Sequence, residues 1–146
     1  MKPKPIRILL VEDNEGDIVL TQEALEDSKF INTVDVARNG REALDHLLKK
    51  AGYEDAVQPD LILLDINLPI KSGHEVLSEI KANDVLKHIP VVMLTTSSSK
   101  NDIAKAYNNH VNCYISKPVE IDEFMSAIAG FEQFWFNIVS LPSSKR

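Results

Sequence analysis

Residues 61–69 read Leu61-Ile62-Leu63-Leu64-Asp65-Ile66-Asn67-Leu68-Pro69. The four apolar residues that open this run do not alternate with polar ones, which is typical of a strand buried on both faces at the centre of a parallel sheet. Asp65 ends the apolar part of this segment, and Pro69 and Gly73 prevent a longer strand. Because ligands of open α/β sheets bind at the carboxyl ends of the strands, we expect Asp65 to be displayed at this working edge rather than buried in the core.

An isolated Asp at this position would more often only begin a turn. The interpretation therefore depends on what the other strands bring to the same edge.

The length and composition indicate one globular domain in the cytoplasm. The chain has 146 residues, which fits a single domain of about 100–150 residues. A net charge of −6 argues against direct binding to nucleic acid, which needs clustered Lys and Arg. No apolar stretch approaches the ~20 residues of a membrane span, and the N-terminus lacks the apolar segment of a signal peptide. Cys113 is the only cysteine, so no internal disulfide can form.

Hydrophobic periodicity predicts strands that alternate with helices along the whole chain. The predicted strands cover 6–11, 33–37, 61–64, 91–96 and 111–116, and the predicted helices cover 15–28, 41–50, 74–83, a short segment around 103–107, and a last segment from about 121. This alternation predicts an α/β fold with a doubly wound five-stranded parallel sheet and five helices. For one domain of this size the simplest arrangement is flavodoxin-like, with strand order 2-1-3-4-5.

Polar residues of complementary chemistry follow four of the predicted strands. They are Glu12-Asp13, Asp65, Thr95-Thr96 and Lys117. Carboxylates that converge repel one another, and a divalent cation would remove that cost. Oxygen ligands without His or Cys favour Mg²⁺ or Mn²⁺ over zinc. We expect Asp13, Asp65 and the backbone carbonyl of Asn67 to bind the metal ion, and Glu12 to act through a metal-bound water.

This arrangement suits Asp65 to accept a phosphoryl group. Asp65 would attack the phosphorus in line, while the metal ion and the Lys117 ammonium neutralise charge on the transferring oxygens. Thr95 offers a hydroxyl donor at the same edge. Each residue has a plainer interpretation as part of a solvated turn or a strand end, but their joint occurrence on four strands is hard to produce by accident.

The sequence resembles the receiver domains of two-component response regulators. The motifs are Leu-Leu-Val-Glu-Asp-Asn, Leu-Leu-Asp-Ile-Asn-Leu-Pro with Gly73 downstream, Leu-Thr-Thr, and Tyr-Ile-Ser-Lys-Pro. The resemblance implies that Asp65 is the phosphoacceptor, Glu12 and Asp13 the acidic pair, and Thr95 and Lys117 the phosphate-contacting residues. It also implies that Thr95 and Tyr114 form the switch.

The resemblance covers about residues 6–130. We therefore expect a receiver domain over residues 1–130 and a C-terminal extension over 131–146, with no separate effector domain. The expected role is that of a signalling protein rather than an enzyme, phosphorylated by a histidine kinase and acting through a changed protein-binding face.

A narrower resemblance, to the single-domain regulators of bacterial and especially cyanobacterial phytochromes, lies in three segments. These are the long loop before Pro59, the segment His110–Tyr114, and the ending from Phe134-Trp135-Phe136 to Leu141-Pro142. It implies a phytochrome-type kinase as partner.

Apolar residues near the C-terminus further predict a homodimer. Phe134 and Phe136 fall off the apolar stripe of the last predicted helix, since each residue of a helix is rotated by about 100°. We expect the interface to comprise helix 4, strand 5, helix 5 and the C-terminal extension. The alternative is that the extension folds back over its own domain.

Two other functions remain open from the residues alone. One is a Mg²⁺-dependent phosphohydrolase with an aspartyl nucleophile, although such enzymes of the haloacid dehalogenase type have a second Asp where this chain has Asn67. The other is a receiver-like interaction module that is never phosphorylated, which the intact site argues against.

Overall fold

The computed structural model describes residues 6–26, 32–95, 113–117, 119 and 122–124. Within these residues five strands alternate with helices. The strands are β1 (Ile6–Val11), β2 (Asn32–Ala37), β3 (Leu61–Asp65), β4 (Val91–Thr95) and β5 (Cys113–Ser116). The helices are α1 (Glu15–Glu26), α2 (Gly40–Leu48) and α3 (Gly73–Ala82), followed by a 3-10 turn at Leu86–His88.

The strands form one parallel sheet in the order β2-β1-β3-β4-β5. This confirms the predicted doubly wound, flavodoxin-like topology. The predicted helix between β4 and β5 lies outside the described residues, and of the predicted last helix only residues 122–124 are described, as helical. None of the helices among the described residues is long and apolar enough to cross a membrane.

Two apolar cores lie on the two faces of the sheet. In β3, Ile62 and Leu64 belong to the core that contains α2 and α3, whereas Leu61 and Leu63 belong to the core that contains α1. All five residues of β3 are buried, and so are all five of β4. The prediction of a strand buried on both faces is confirmed, because successive side chains of a strand point to opposite faces.

The predicted apolar stripes of the helices face these cores. On α3, Val76, Leu77 and Ile80 are fully buried, as helical spacing predicts. Ser72 caps this helix: its hydroxyl accepts a hydrogen bond from the Glu75 backbone N–H, and the Glu75 carboxylate accepts one from the Ser72 backbone N–H. The start of α3 is thereby fixed one residue after Ser72.

Gly73 lets α3 begin directly against the end of β3. A Cβ atom at this position would lie 2.2 Å from the Asp65 carbonyl oxygen and 2.7 Å from the Ile66 Cα atom. The Gly73 backbone N–H also donates a 2.8 Å hydrogen bond to the Ile66 carbonyl. Only glycine fits this contact. The contact fixes the position of the polypeptide where it leaves β3 after Asp65.

We predict that Gly73→Ala destabilises the fold, because the added methyl group meets backbone atoms that cannot rotate away. The expected loss in free energy of unfolding is about 1–3 kcal/mol, typical of overpacking. Gly16→Ala is the matched control, since its Cβ would meet only the Asn14 side-chain oxygen, at 3.3 Å. Urea unfolding of both variants measures the difference, and equal stabilities would contradict the argument.

Candidate functional site

The three acidic residues that the sequence singled out come together in the structure. Glu12 and Asp13 follow β1, Asp65 ends β3, and the two strands are neighbours in the sheet with Val11 paired to Leu64. One carboxylate oxygen from each residue lies within 4.8 Å of the others. The register of β1 against β3 thus brings Asp65 and the two residues that directly follow β1 to the same place.

Two of these carboxylates are buried, which corrects one expectation. Asp65 was expected to be displayed at the edge of the sheet, but it is only 3% exposed, and Glu12 is 1% exposed. Asp65 does lie at the carboxyl end of β3. It is covered because Gly73 brings α3 against the end of the strand and because Lys117 reaches over it. Asp13 is the exposed member of the cluster.

Lys117 donates three hydrogen bonds to three carboxylates, two of which belong to this cluster. Its Nζ lies 2.8 Å from Glu12 Oε1, 2.8 Å from Asp17 Oδ2 and 3.2 Å from Asp65 Oδ2. The backbone fixes the base of this side chain, because the Lys117 N–H donates a 2.8 Å hydrogen bond to the Thr95 carbonyl at the end of β4. The Lys117 side chain is 9% exposed, so its ion pairs with Glu12 and Asp65 are largely shielded from water.

Burial and close contact shift the pKa values of Glu12 and Lys117. The pKa of Glu12 is raised to about 7: burial is the largest cause, the hydrogen bond from Lys117 partly opposes it, and the nearby Asp65 adds to the rise. Burial lowers the pKa of Lys117, but hydrogen bonds to Asp17 and Glu12 and the charge of Asp65 outweigh burial and leave this pKa above its usual range. Lys117 is therefore charged, and the carboxylates have one ammonium among them.

The remaining predicted site residues lie at or near the same edge. Thr95 is buried at the end of β4, and the Asn67 backbone N–H donates a 3.1 Å hydrogen bond to Asp65 Oδ1. Tyr114 is half-buried on β5 and packs against the core on the α2 and α3 side. Their roles as phosphate contact, metal ligand and switch stay predictions.

Sequence reasoning missed Asp17. It lies in the first turn of α1 rather than at the end of a strand, and so it was not among the candidates. A signal was present, because Asp17 lies four residues after Asp13 in the sequence, in the first turn of a helix whose start at Glu15 had been predicted. The first turn of a helix that directly follows β1 begins at the same edge of the sheet. An acidic residue there could have been included with the site.

The donor set fits a hard divalent cation. One carboxylate oxygen each from Glu12, Asp13 and Asp65 is close enough to the others to bind the same metal ion, and this group contains no His or Cys. Mg²⁺ and Mn²⁺ prefer such oxygen ligands. A cation would also offset the repulsion and burial that raise the pKa of Glu12.

The sequence matches the family model of the response regulator receiver domain over residues 8–129. The chain belongs to this family. The match confirms the resemblance that the motifs indicated. Response regulators with this domain are generally signalling proteins.

Several response regulators are similar to this chain, and two of them are described as phytochrome response regulators. Response regulator Rcp1 of Synechocystis sp. is 44% identical over 140 residues, which are 96% of this chain and 95% of the relative. The structure of a Mn(2+)-bound form of Rcp1 has a TM-score of 0.77 and 45% identity, and covers 94% of this chain and 99% of that one. The phosphorylated cyanobacterial phytochrome response regulator RcpA has a TM-score of 0.78 and 47% identity, with 95% and 99% coverage. The bacteriophytochrome response regulator AtBRR has a TM-score of 0.79 and 46% identity, with 86% and 91% coverage.

We predict that Mg²⁺ and Mn²⁺ stabilise the fold in a saturable way, because either ion relieves the repulsion among the carboxylates. At 100 times the dissociation constant the gain would be about 2.7 kcal/mol. Asp13→Asn should reduce this metal-dependent gain, whereas Glu15→Gln, which changes a more distant acid on α1, should preserve it. Thermal unfolding at constant ionic strength measures all three proteins. Equal gains in wild type and Asp13→Asn would contradict the site.

Proposed function

We propose that this chain is a single-domain response regulator that accepts a phosphoryl group from a histidine kinase on Asp65 in a Mg²⁺-dependent reaction. The observation that carries the proposal is the contact of the Lys117 ammonium with Asp65 Oδ2, at 3.2 Å, within the cluster of Glu12 and Asp13. A carboxylate at a strand end, with a cation beside it and two further acids able to hold a metal ion, is equipped for phosphoryl transfer.

The chemistry follows from these groups. An oxygen of Asp65 forms a bond to phosphorus while the bond from phosphorus to the donor's leaving group breaks, and the leaving group takes the electron pair. Lys117 keeps its proton and neutralises charge on the transferring oxygens. Asp13, Asp65 and the Asn67 carbonyl would hold the metal ion directly and Glu12 through a metal-bound water; the ion when bound supplies further positive charge to the phosphoryl oxygens.

The relatives support a phytochrome-type sensor kinase as the donor. RcpA is by its description a phosphorylated cyanobacterial phytochrome response regulator, and AtBRR is a bacteriophytochrome response regulator. Each is at least 46% identical to this chain over most of its length. We therefore propose that this chain receives its phosphoryl group from a phytochrome-type histidine kinase in the cytoplasm.

The output is a protein surface within a receiver domain over residues 1–130, extended by residues 131–146. Thr95 would move to the phosphoryl group and vacate space into which Tyr114 rotates, which changes the face around β5. Thr95 is buried at the end of β4, the strand next to that of Asp65, and Tyr114 is half-buried on β5, the next strand along. A phosphohydrolase is disfavoured because Asn67, rather than a second Asp, follows the nucleophile by two residues.

We predict that Asp65 alone accepts the phosphoryl group. Wild type incubated with acetyl phosphate and Mg²⁺ should gain one phosphoryl group by intact mass, and Asp65→Asn or a chelator should abolish the gain. Asp84→Asn is the matched control, because Asp84 is an exposed acid paired only with Lys87 in the described part of the chain. Labelling of Asp65→Asn at the wild-type level would refute the assignment.

We also predict a homodimer through the fourth helix, β5, the fifth helix and the C-terminal extension. Of these elements the structure describes β5 and residues 122–124, where Phe124 is fully buried. The prediction depends on the apolar residues Phe134, Phe136 and Leu141 in the sequence, because apolar patches beyond a complete core usually mark interfaces.

Sedimentation equilibrium of the full chain, with and without beryllofluoride, tests the dimer. Phosphoryl mimicry should tighten association if Tyr114 couples Asp65 to this face, since a ligand shifts an equilibrium only through differential affinity. Replacing Phe134 and Phe136 by Ser should weaken it. A full-length protein that stays monomeric in both states at high micromolar concentration would rule the dimer out.

A further inference from the structure

Asp17 contacts the site from an element that the phosphoryl-transfer chemistry does not otherwise use. Its Oδ2 accepts a 2.8 Å hydrogen bond from Lys117 Nζ, as short as the bond from Lys117 to Glu12. The first turn of α1 fixes its position, because the Asp17 backbone N–H donates a 2.9 Å hydrogen bond to the Asn14 side-chain oxygen. A carboxylate on a capped helical turn is thus held against the lysine.

The contact with Asp17 uses one of the three N–H donors of the Lys117 ammonium. A lysine ammonium has three N–H donors and no acceptor. In this structure its three contacts go to Glu12, Asp17 and Asp65, so the donor set is fully used. The two contacts of 2.8 Å fix the ammonium, and the remaining contact, 3.2 Å long, is directed at Asp65.

We propose that Asp17 is a positioning residue for phosphoryl transfer, which together with Glu12 orients Lys117 so that its third donor points at Asp65. This inference rests on the proposed transfer to Asp65. When the phosphoryl group forms, the third donor can pass from Asp65 to a phosphoryl oxygen while the other two contacts persist. A flexible four-carbon side chain would otherwise have to be ordered during the reaction, which costs conformational entropy.

Glu12 alone gives a less complete orientation. One hydrogen bond leaves the ammonium free to rotate about that contact, whereas two bonds from different elements define its position. Glu12 comes from the end of β1 and Asp17 from α1, so the two carboxylates hold Lys117 from two independently fixed backbones. The Asp17 side chain is 31% exposed, so its contribution is that of a partly solvated ion pair.

The test compares Asp17→Asn with wild type in phosphorylation by acetyl phosphate, followed by intact mass at saturating Mg²⁺ and donor. We expect the rate constant to fall about two- to fivefold, the range for a partly exposed ion pair. The Mg²⁺ concentration for half-maximal rate should stay close to that of wild type. Asp17→Glu, which keeps the charge and can reach the ammonium, should restore most of the rate.

Glu15→Gln is the matched control for loss of negative charge. It lies in the same turn of α1, and its side chain pairs with Arg38 rather than Lys117. Its rate should equal that of wild type. A double-mutant cycle supplies a second readout: in a Lys117→Ala background, where the slower reaction is followed over hours, Asp17→Asn should have no further effect.

Several results would overturn the inference. They are an unchanged or faster rate in Asp17→Asn, an equal decrease in Glu15→Gln, or a full Asp17→Asn effect in the absence of Lys117. Faster transfer would mean that Asp17 competes with the phosphoryl group for the ammonium. Wild-type labelling keeps the two proposals separate. If wild type is not labelled on Asp65 the proposed function fails, whereas labelled wild type with an unaffected Asp17→Asn removes only the role of Asp17.

Discussion

A single ammonium group compensates carboxylates that three different elements bring together. Glu12 follows β1, Asp17 lies on α1 and Asp65 ends β3, and Lys117 reaches all of them from the end of β5. Among the described residues no other cation pairs with Glu12 or Asp65, and burying these carboxylates without an opposing charge would be destabilising. The negative charge still exceeds the positive charge, and Asp13 adds to the excess. The Lys117 ammonium thus offsets part of the repulsion among the carboxylates in the folded protein. The remaining negative charge favours binding of a divalent cation.

The polypeptide that follows Asp65 is placed by the same packing. The start of α3 lies close to the end of β3, and this approach needs a residue without a side chain at Gly73 and is fixed by the helix cap at Ser72. The Asn67 backbone N–H then reaches Asp65 Oδ1. The loop between β3 and α3 thus supplies geometry rather than catalytic side chains, and one carboxylate oxygen is held by the loop while the other faces Lys117.

Much of this could be predicted from the sequence, because its signals are local. Uninterrupted apolar runs identified the central strands, helical spacing identified the buried faces of α2 and α3, and strand ends identified Asp65 and Lys117. What failed depends on packing between distant segments. The burial of Asp65 follows from a close approach of backbones that no periodicity encodes. The contact of Asp17 follows from the direction in which α1 leaves β1, and a strand-based search does not consider the first turn of a helix.

The ion pair between Lys117 and Glu12 joins residues 105 positions apart in the chain. Sheets built from such distant contacts form slowly, and domains made on the ribosome acquire their N-terminal segments first. The acids of β1 and β3 therefore exist before the lysine that compensates them. Because β5 is the edge strand at the far end of the sheet, its docking is required to complete the site. It follows that a nascent or partly unfolded chain has only part of the proposed site, and that only a molecule with a finished sheet brings Lys117 against Asp65.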